Sequence, residues 1–375
     1  MSVSNHKKLL HVTMYYFPVI GGQQVYIREL NKILKNDFSK IEVVQPSIKT
    51  NQEWPKNILK IKRLPIVFRV INCLNWVWFN FMLFFKKKYI KKFDVVITHY
   101  PFHFNMTKVA KKNIIVSHGI EWNNPKRSLC DFYREKMAHT VFESGSTIVA
   151  NDTDFIRKIG VDILPATGEF SKIQDNVWYI PNCIDIDYYK PLDTREVCRN
   201  NMILVPRNIR KDRGIHFAIE ILYNLRKINN KMTMLISGGP LRGAYYRQCI
   251  SLIDRLNLKE SVFFSGSKSQ HELRELYYSS EMVLIPTLDK EGTSLSALES
   301  MSCGTATFST SIGGLSDLPT VKIDLDPCKA AFQINKSINK LDEISNRQCT
   351  HTRSTFNYRN WSTAWKEVVR ETQRQ

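Results

Sequence analysis

The stretch MVLIPTLDKEGTSLSALESMSCGTATFSTSIGG (282–314) carries the decisive pattern of this chain. A short apolar run, MVLIPT, reads as a buried strand. LDKEGTS follows as a loop, LSALESMS as a helix and TATFST as a second strand ahead of a glycine pair. A strand, loop, helix and strand in close succession is the repeating unit of a parallel α/β sheet. Glu291 and Glu299 stand eight positions apart across this loop and helix. Eight residues of ideal helix rise by about 12 Å and turn by about 80° from their starting direction. The two carboxylates therefore do not read as one close acid/base pair of the kind a retaining hydrolase uses. Ser294 or Ser296 can cap the helix, and the backbone N–H groups of Gly292, Thr293 and Ser294 face an anion at its N-terminus. The spacing suits two grips on the ends of one extended ligand, with phosphate held between them.

The same alternation extends in both directions. Towards the N-terminus of the chain, LLHVTMYY (9–16), IEVVQP (41–46), VVITHY (95–100), IIVSH (114–118) and TIVAN (147–151) read as strands. A second series comprises MILVPR (202–207), MTMLISGG (232–239), VFFSG (262–266), MVLIPT (282–287) and TATFST (305–310). Between the series, WYIPNCIDIDYYKP (178–191) brings two prolines and clustered aspartates, as a hinge does. The reading is two Rossmann-like doubly wound domains facing each other across a cleft, with ligands at the carboxyl ends of the strands. The boundaries expected are 1–185, 186–350 and a C-terminal helical segment 351–375 that packs back towards the first domain. In that segment Trp361 and Trp365 stand four apart on an amphipathic pattern.

Composition narrows the classes. The chain has 375 residues, 43% hydrophobic and 24% charged, which supports packed domains and excludes a disordered chain. Its 54 Lys and Arg against 35 Asp and Glu give a formal charge of +19, which favours anionic partners. No basic face interleaved with aromatics and no nucleic-acid-binding module is evident, so nucleic acid is not an expected partner. The eight cysteines include no C-x-x-C pair, which excludes the usual zinc spacings and points to reduced thiols in a cytoplasmic setting. D-x-D occurs at 152–154, 185–187 and 324–326, a pattern too common here to mark a metal site; the first reads as a helix cap. No metal or other cofactor is expected.

IVFRVINCLNWVWFNFMLFF (66–85) is long enough to span a bilayer. Arg69, Asn72, Asn75 and Asn80 nevertheless fall within about 140° of one another on a helical wheel, which makes it an amphipathic helix. KKKYIKK follows at once. Two readings stay open: a packed domain helix with a solvated basic end, or an interfacial helix by which residues 66–92 rest on an anionic membrane surface. The second places the protein peripherally on the inner face of the membrane.

Three further segments carry chemistry. Gly21 and Gly22 follow the first strand and open a helix, where backbone N–H groups can approach a phosphate closely. PRNIRKDRG (206–214) sets Arg207 and Arg213 after the first strand of the second domain, where cations meet a diphosphate. ISGGP (236–240) is another glycine turn after a strand, and Gly266 ends VFFSG in the same way.

Together with SHGIEW (117–122), IPNCID (180–185), FFSGSKSQHEL and the GG at 313–314, these segments resemble the retaining glycosyltransferases of GT-B fold in family 4, with their E-x7-E signature. The resemblance runs along most of the chain. It implies a nucleotide-diphosphate sugar as donor, a glycan or lipid-linked acceptor in polysaccharide or glycoconjugate synthesis, and no metal. By it Glu299 holds the ribose hydroxyls and Glu291 the hydroxyls of the donor sugar. Arg207 and Arg213 neutralise the diphosphate, Gly21 and Gly22 abut it, and His118 lies near the transferred sugar. Gly238, Gly266, Gly292, Thr293 and Ser294 complete the donor-binding set, and His118, Glu291, Arg207 and Arg213 the catalytic one. The family usually has lysine where this chain has Arg213. A sugar-nucleotide epimerase on the same fold, a metal-dependent GT-A transferase and a basic nucleic-acid binder are the weaker alternatives.

Overall fold

The computed structural model describes residues 6–18, 21–63, 72–122, 127–163, 169–192 and 200–375. The chain divides into two compact units, Met1–Pro181 with Arg359–Gln375, and Asn182–Tyr358.

The first unit is built on strands β1 (Lys8–Val12), β2 (Lys40–Pro46), β3 (Ile58–Ile61), β4 (Val95–His99), β5 (Lys112–Ser117), β6 (Thr147–Ala150), β7 (Ser171–Gln174) and β8 (Val177–Tyr179). They form one sheet in the order β3-β2-β1-β4-β5-β6-β8-β7, parallel except for the β7–β8 pair. The central strands are buried along nearly their whole length, as a sheet covered on both faces requires. Leu10, Val12, Val44 and Val96 meet Trp76, Phe79 and Leu83 on one side of the sheet. Ile115, Ile148 and Tyr179 pack against Ala138, Val141, Phe155 and Ile156.

The second unit carries β9 (Met202–Val205), β10 (Thr233–Ile236), β11 (Val262–Phe264), β12 (Met282–Ile285), β13 (Thr307–Ser309) and β14 (Val321–Lys322). All pair in parallel, in the order β11-β10-β9-β12-β13-β14. In both sheets the winding direction reverses beside the first strand: between β1 and β4, and between β9 and β12. Such a reversal opens a crevice beyond the carboxyl ends of the two strands, because the loops leave it in opposite directions.

The structure corrects the details of several elements. The first strand stops at Val12 rather than Tyr16. β3, β7, β8 and β14 were not legible as strands; each is four residues or shorter. In the 66–85 segment the described helix is Asn72–Phe84. Residues 66–71, with Arg69, and the side chain of Asn72 lie outside what is described. Asn80 does not join a solvated polar face: it is buried, donates to the Phe102 carbonyl at 2.9 Å and meets His103 Nδ1 at 2.5 Å. The exposed face of this helix is apolar instead, with Val77, Phe81 and Phe84 open to solvent and Phe85 exposed just beyond its end. No described helix is long and apolar enough to cross a membrane.

The three D-x-D segments serve the local backbone. Asp152 accepts from Phe155 N at the start of a helix, Asp185 from the N–H groups of Asp187 and Tyr188, and Asp326 from those of Cys328 and Lys329. Cys249, Cys303, Cys328 and Cys349 carry free thiols.

Candidate functional site

In the second unit the sequence-predicted cations and one glutamate converge at the winding reversal. Arg207 follows β9 and Thr287 follows β12, so pairing of those neighbouring strands brings the two loops together. Arg207 is only 8% exposed, yet its Nη2 donates to Thr287 Oγ1 at 2.7 Å and to Glu291 Oε2 at 2.5 Å. Arg213, in the turn ahead of the helix Ile215–Arg226, donates to the same Glu291 oxygen. Thr287 Oγ1 adds a contact of 3.3 Å to it. Two guanidinium groups against one carboxylate leave one formal positive charge. Burial lowers the Arg207 pKa from its ordinary value, and the Glu291 carboxylate opposes that shift. The Arg207 Nε is buried without a partner.

Glycine lets the chain close around this cluster. A Cβ on Gly314 would sit 2.5 Å from the Gly292 carbonyl carbon and 2.7 Å from Thr293 N. Gly313 adopts φ +54, and a Cβ there would lie 2.2 Å from the Glu291 carbonyl oxygen. The Gly314 N–H donates to that oxygen at 2.9 Å. The glycine pair after β13 thus lies directly against the Glu291–Thr293 turn and sets its position. Gly238, after β10, lies as close to the other loop: its Cβ would fall 2.1 Å from the Arg207 carbonyl oxygen. Gly266, in the loop after β11, takes a left-handed conformation, φ +72.

The helix Leu295–Ser302 begins beside Glu291. Ser294 occupies its N-cap position, but the expected side-chain cap does not form. The hydroxyl is buried and unpartnered, because Ser294 is 1% exposed and turned into the protein. Ser296 does not cap either; it reaches back to the Pro206 carbonyl at 3.4 Å. Thr293 is held by Asn182, whose N–H meets the threonine hydroxyl at 3.2 Å and whose amide donates to its carbonyl at 2.7 Å. The turn therefore presents backbone rather than hydroxyl groups. Further along the helix, Glu299 accepts from the Tyr277 hydroxyl at 2.8 Å, and burial raises its pKa above the ordinary carboxylate value.

In the first unit the loops after β1, β4 and β5 gather Gly21, Gly22, Tyr100 and His118. Gly22 opens the helix Gly22–Leu34 and Gly21 is its N-cap. Gly21 has extended backbone, and a Cβ there would meet only the flexible end of Gln24, so no steric need fixes glycine at this position. Gln23 is anchored on both sides: its amide donates to Thr13 Oγ1 at 2.9 Å, and its oxygen accepts from the Tyr100 hydroxyl at 2.7 Å. His118 is half-buried, with Nε2 3.0 Å from His99 Nδ1 and the Tyr26 ring edge-on to it at 5.0 Å. Trp365 of the C-terminal helix Tyr358–Arg374 donates its Nε1–H to the Tyr26 hydroxyl at 3.0 Å.

Sequence reasoning missed Thr287, Asn182, Tyr277 and the partners of His118. Thr287 and Tyr277 lie in segments that read simply as a strand end and a helix. The signal for Asn182 was its place in IPNCID, within the hinge.

This arrangement defines a class: a GT-B type α/β protein with two parallel-sheet units and a cation-lined loop cluster at a winding reversal. Residues 194–340 match the family model described as Glycosyl transferases group 1, so the second unit carries a glycosyltransferase group 1 domain. The chain is 23% identical to a protein described as uncharacterized glycosyltransferase MJ1069 from Methanocaldococcus jannaschii, over 97% of this chain and 96% of that one. It is 22% identical to a probable sucrose-phosphate synthase from Thermosipho melanesiensis, over 90% and 88% of the two chains. Among solved structures it is similar to sucrose-phosphate synthase from Thermosynechococcus elongatus, with a TM-score of 0.77 and 15% identity over 98% and 99% of the chains. It is also similar to Anabaena Alr3699/HepE in complex with UDP-glucose, with a TM-score of 0.71 and 15% identity over 99% and 100%.

Proposed function

We propose that the protein is a retaining glycosyltransferase of the family 4 type, transferring a hexosyl group from a nucleotide-diphosphate sugar to a glycan or lipid-linked acceptor. The observation that carries this reading is the cluster of Arg207, Arg213, Thr287 and Glu291 at the reversal between β9 and β12. Two guanidinium groups in a largely dry site stabilise a diphosphate leaving group, because charge interactions there are little screened. Glu291 keeps both arginines paired in the absence of donor. On donor binding the diphosphate shares the guanidinium groups, and the carboxylate turns to the hydroxyls of the sugar. Glu299, eight residues on, takes the ribose hydroxyls, with Tyr277 holding its second oxygen. HepE was solved with UDP-glucose, which makes uridine donors the first to test.

The reaction needs no protein nucleophile. The bond from the sugar's anomeric carbon to the diphosphate breaks, and the acceptor oxygen bonds to that carbon from the same face. The acceptor's proton passes to a diphosphate oxygen. The protein positions the two substrates and stabilises the developing negative charge. The guanidinium groups supply the charge for which other transferases use a metal ion. The test is turnover of a panel of UDP- and GDP-sugars. Arg207→Ala and Glu291→Ala are each expected to lower kcat/KM by roughly a hundredfold or more, the scale for losing one preorganised charge-stabilising group. Unchanged turnover in both variants would overturn the site.

The exposed apolar face of the helix Asn72–Phe84 favours an anionic membrane as a further partner. Val77, Phe81, Phe84 and Phe85 are open to solvent, and Lys86, Lys87 and Lys88 follow directly. Aromatics entering the acyl boundary beside lysines at the headgroups is the pattern of an interfacial helix.

A further inference from the structure

Three histidines from neighbouring strands and loops form a continuous hydrogen-bonded line in the first unit. His11 lies in β1 and His99 ends β4, while His118 follows β5. His11 Nδ1 is 3.0 Å from His99 Nε2, and His99 Nδ1 is 3.0 Å from His118 Nε2. The rings are near-parallel, at 22° and 12° between successive planes. His11 and His99 are fully buried, whereas His118 keeps some exposure.

Burial lowers the pKa of His11 to about 3 and that of His99 well below the ordinary imidazole value, and it shifts His118 in the same direction. All three rings are therefore neutral at pH 7, and each carries one N–H. Two N···N bonds between three neutral rings allow only two arrangements: every ring protonated on Nε2, or every ring protonated on Nδ1. The far end of the line decides between them. His11 Nε2 and Asn31 Oδ1 are both buried, and neither has a partner in full hydrogen-bond geometry. The Asn31 side chain raises the His11 pKa as a hydrogen-bond partner, the direction expected when an amide oxygen accepts from the ring. A proton on His11 Nε2 satisfies that oxygen, whereas a lone pair there would leave two buried acceptors facing each other. Because this end is closed, the line is not a route by which a proton reaches solvent.

We propose that Asn31, His11 and His99 are positioning residues that lock His118 as its Nε2-protonated tautomer, so that Nδ1 is presented as a neutral acceptor for a hydroxyl of the bound ligand. The role towards ligand rests on the reading of His118 as a site residue; the tautomer lock does not. An acceptor nitrogen takes a hydroxyl hydrogen and repels a phosphate or carbonyl oxygen. His118 thus favours the sugar or acceptor hydroxyl over the diphosphate. Tyr26, edge-on to His118 and fixed by Trp365, restrains the ring from the side.

The test is 15N-histidine NMR of the full chain at pH 7, with assignments from single histidine variants. The expected result is that His11, His99 and His118 are all protonated on Nε2. Protonation of any of the three on Nδ1 in the wild-type spectrum overturns the proposal. His99→Phe keeps a ring but removes both bonds, so His118 should average between tautomers. His99→Gln can accept from His118 and donate to His11, so it should restore the single tautomer. With a competent donor, His99→Phe should lower kcat/KM by about three- to tenfold, the scale of one hydrogen bond, and His99→Gln should recover it. Equal kcat/KM in wild type and His99→Phe would overturn the role towards ligand. If the tautomer pattern holds but no nucleotide sugar is turned over, the transferase reading fails instead and the lock stands.

Discussion

Arg207, Glu291 and Gly314 show how much one position can carry in this protein. Arg207 is buried and ion-paired, so removing Glu291 leaves it an uncompensated buried charge, whereas removing Arg207 leaves Glu291 still paired with Arg213. Glu291→Ala should therefore lose stability as well as turnover, Arg207→Ala chiefly turnover, and the doubly substituted protein should recover part of the stability of Glu291→Ala but none of the activity. Urea denaturation of the three variants checks this. Gly314→Ala inserts a methyl group against the backbone of Gly292 and Thr293, which cannot move aside as a side chain could. It should cost about 1–3 kcal/mol, the usual scale of overpacking, and displace Glu291 enough to lower kcat/KM. Full activity at unchanged stability would show that the glycine pair does not set the turn. His103 offers a pH test: it is fully buried, and burial holds its pKa at about 3. The unfolded chain binds its proton near pH 6.5, so this contribution is complete above that pH and is lost as pH falls towards 3. The slope of stability against pH between 6 and 4 should be shallower in His103→Asn by about 1.4 kcal/mol per pH unit.

At the scale of elements, two helices deserve separate tests. The helix Tyr358–Arg374 buries Trp361 and Trp365 against Tyr26, at ring distances of 5.2 and 6.0 Å. Trp365→Ala should cost about 3–5 kcal/mol of stability in the first unit, as loss of a large core side chain does. Trp365→Phe should keep most of the packing and lose the bond to the Tyr26 hydroxyl. The helix Asn72–Phe84 makes the opposite case, because its apolar residues stay outside. If it rests on an anionic membrane, the protein should sediment with vesicles containing phosphatidylserine, and less so as salt rises. Glutamates at Lys86, Lys87 and Lys88 should abolish sedimentation. Sedimentation that persists in this variant, or binds neutral vesicles equally, would remove the membrane from the reading.

At the scale of the whole molecule, the two sheets share one winding plan. Each reverses direction beside its first strand and places its chemistry there: arginines and Glu291 in one unit, His99 and His118 in the other. A ligand that binds the folded state raises its stability by about 2.7 kcal/mol at a hundred times its dissociation constant. A thermal-shift panel should therefore pick out the donor, with the responding nucleotide sugar losing its effect in Arg207→Ala. A shift of equal size in wild type and variant would place binding elsewhere.

Much of this was legible in one dimension. Buried parallel strands are continuous apolar runs, so ten strands and the two-sheet α/β plan followed from MVLIPT, MILVPR and their counterparts. Glycine turns after strands located Gly238 and the pair at 313–314, because close backbone approach excludes a Cβ and leaves a mark in composition. The edge strands β3, β7 and β14 left none, since their runs ILKI, SKIQ and VK mix lysine with apolar residues and do not form one continuous apolar stretch. The exposed face of the helix Asn72–Phe84 was also hidden, because a helical wheel groups residues without saying which group meets the core. The partners of charged and titratable groups were hidden for a similar reason. Arg207 and Glu291 lie 84 positions apart, and His11 and His99 lie 88 apart. Sequence determined that these groups exist and lie in or after strands; only strand order decided that they meet, because neighbours in a parallel sheet are set by packing across the fold and not by distance along the chain.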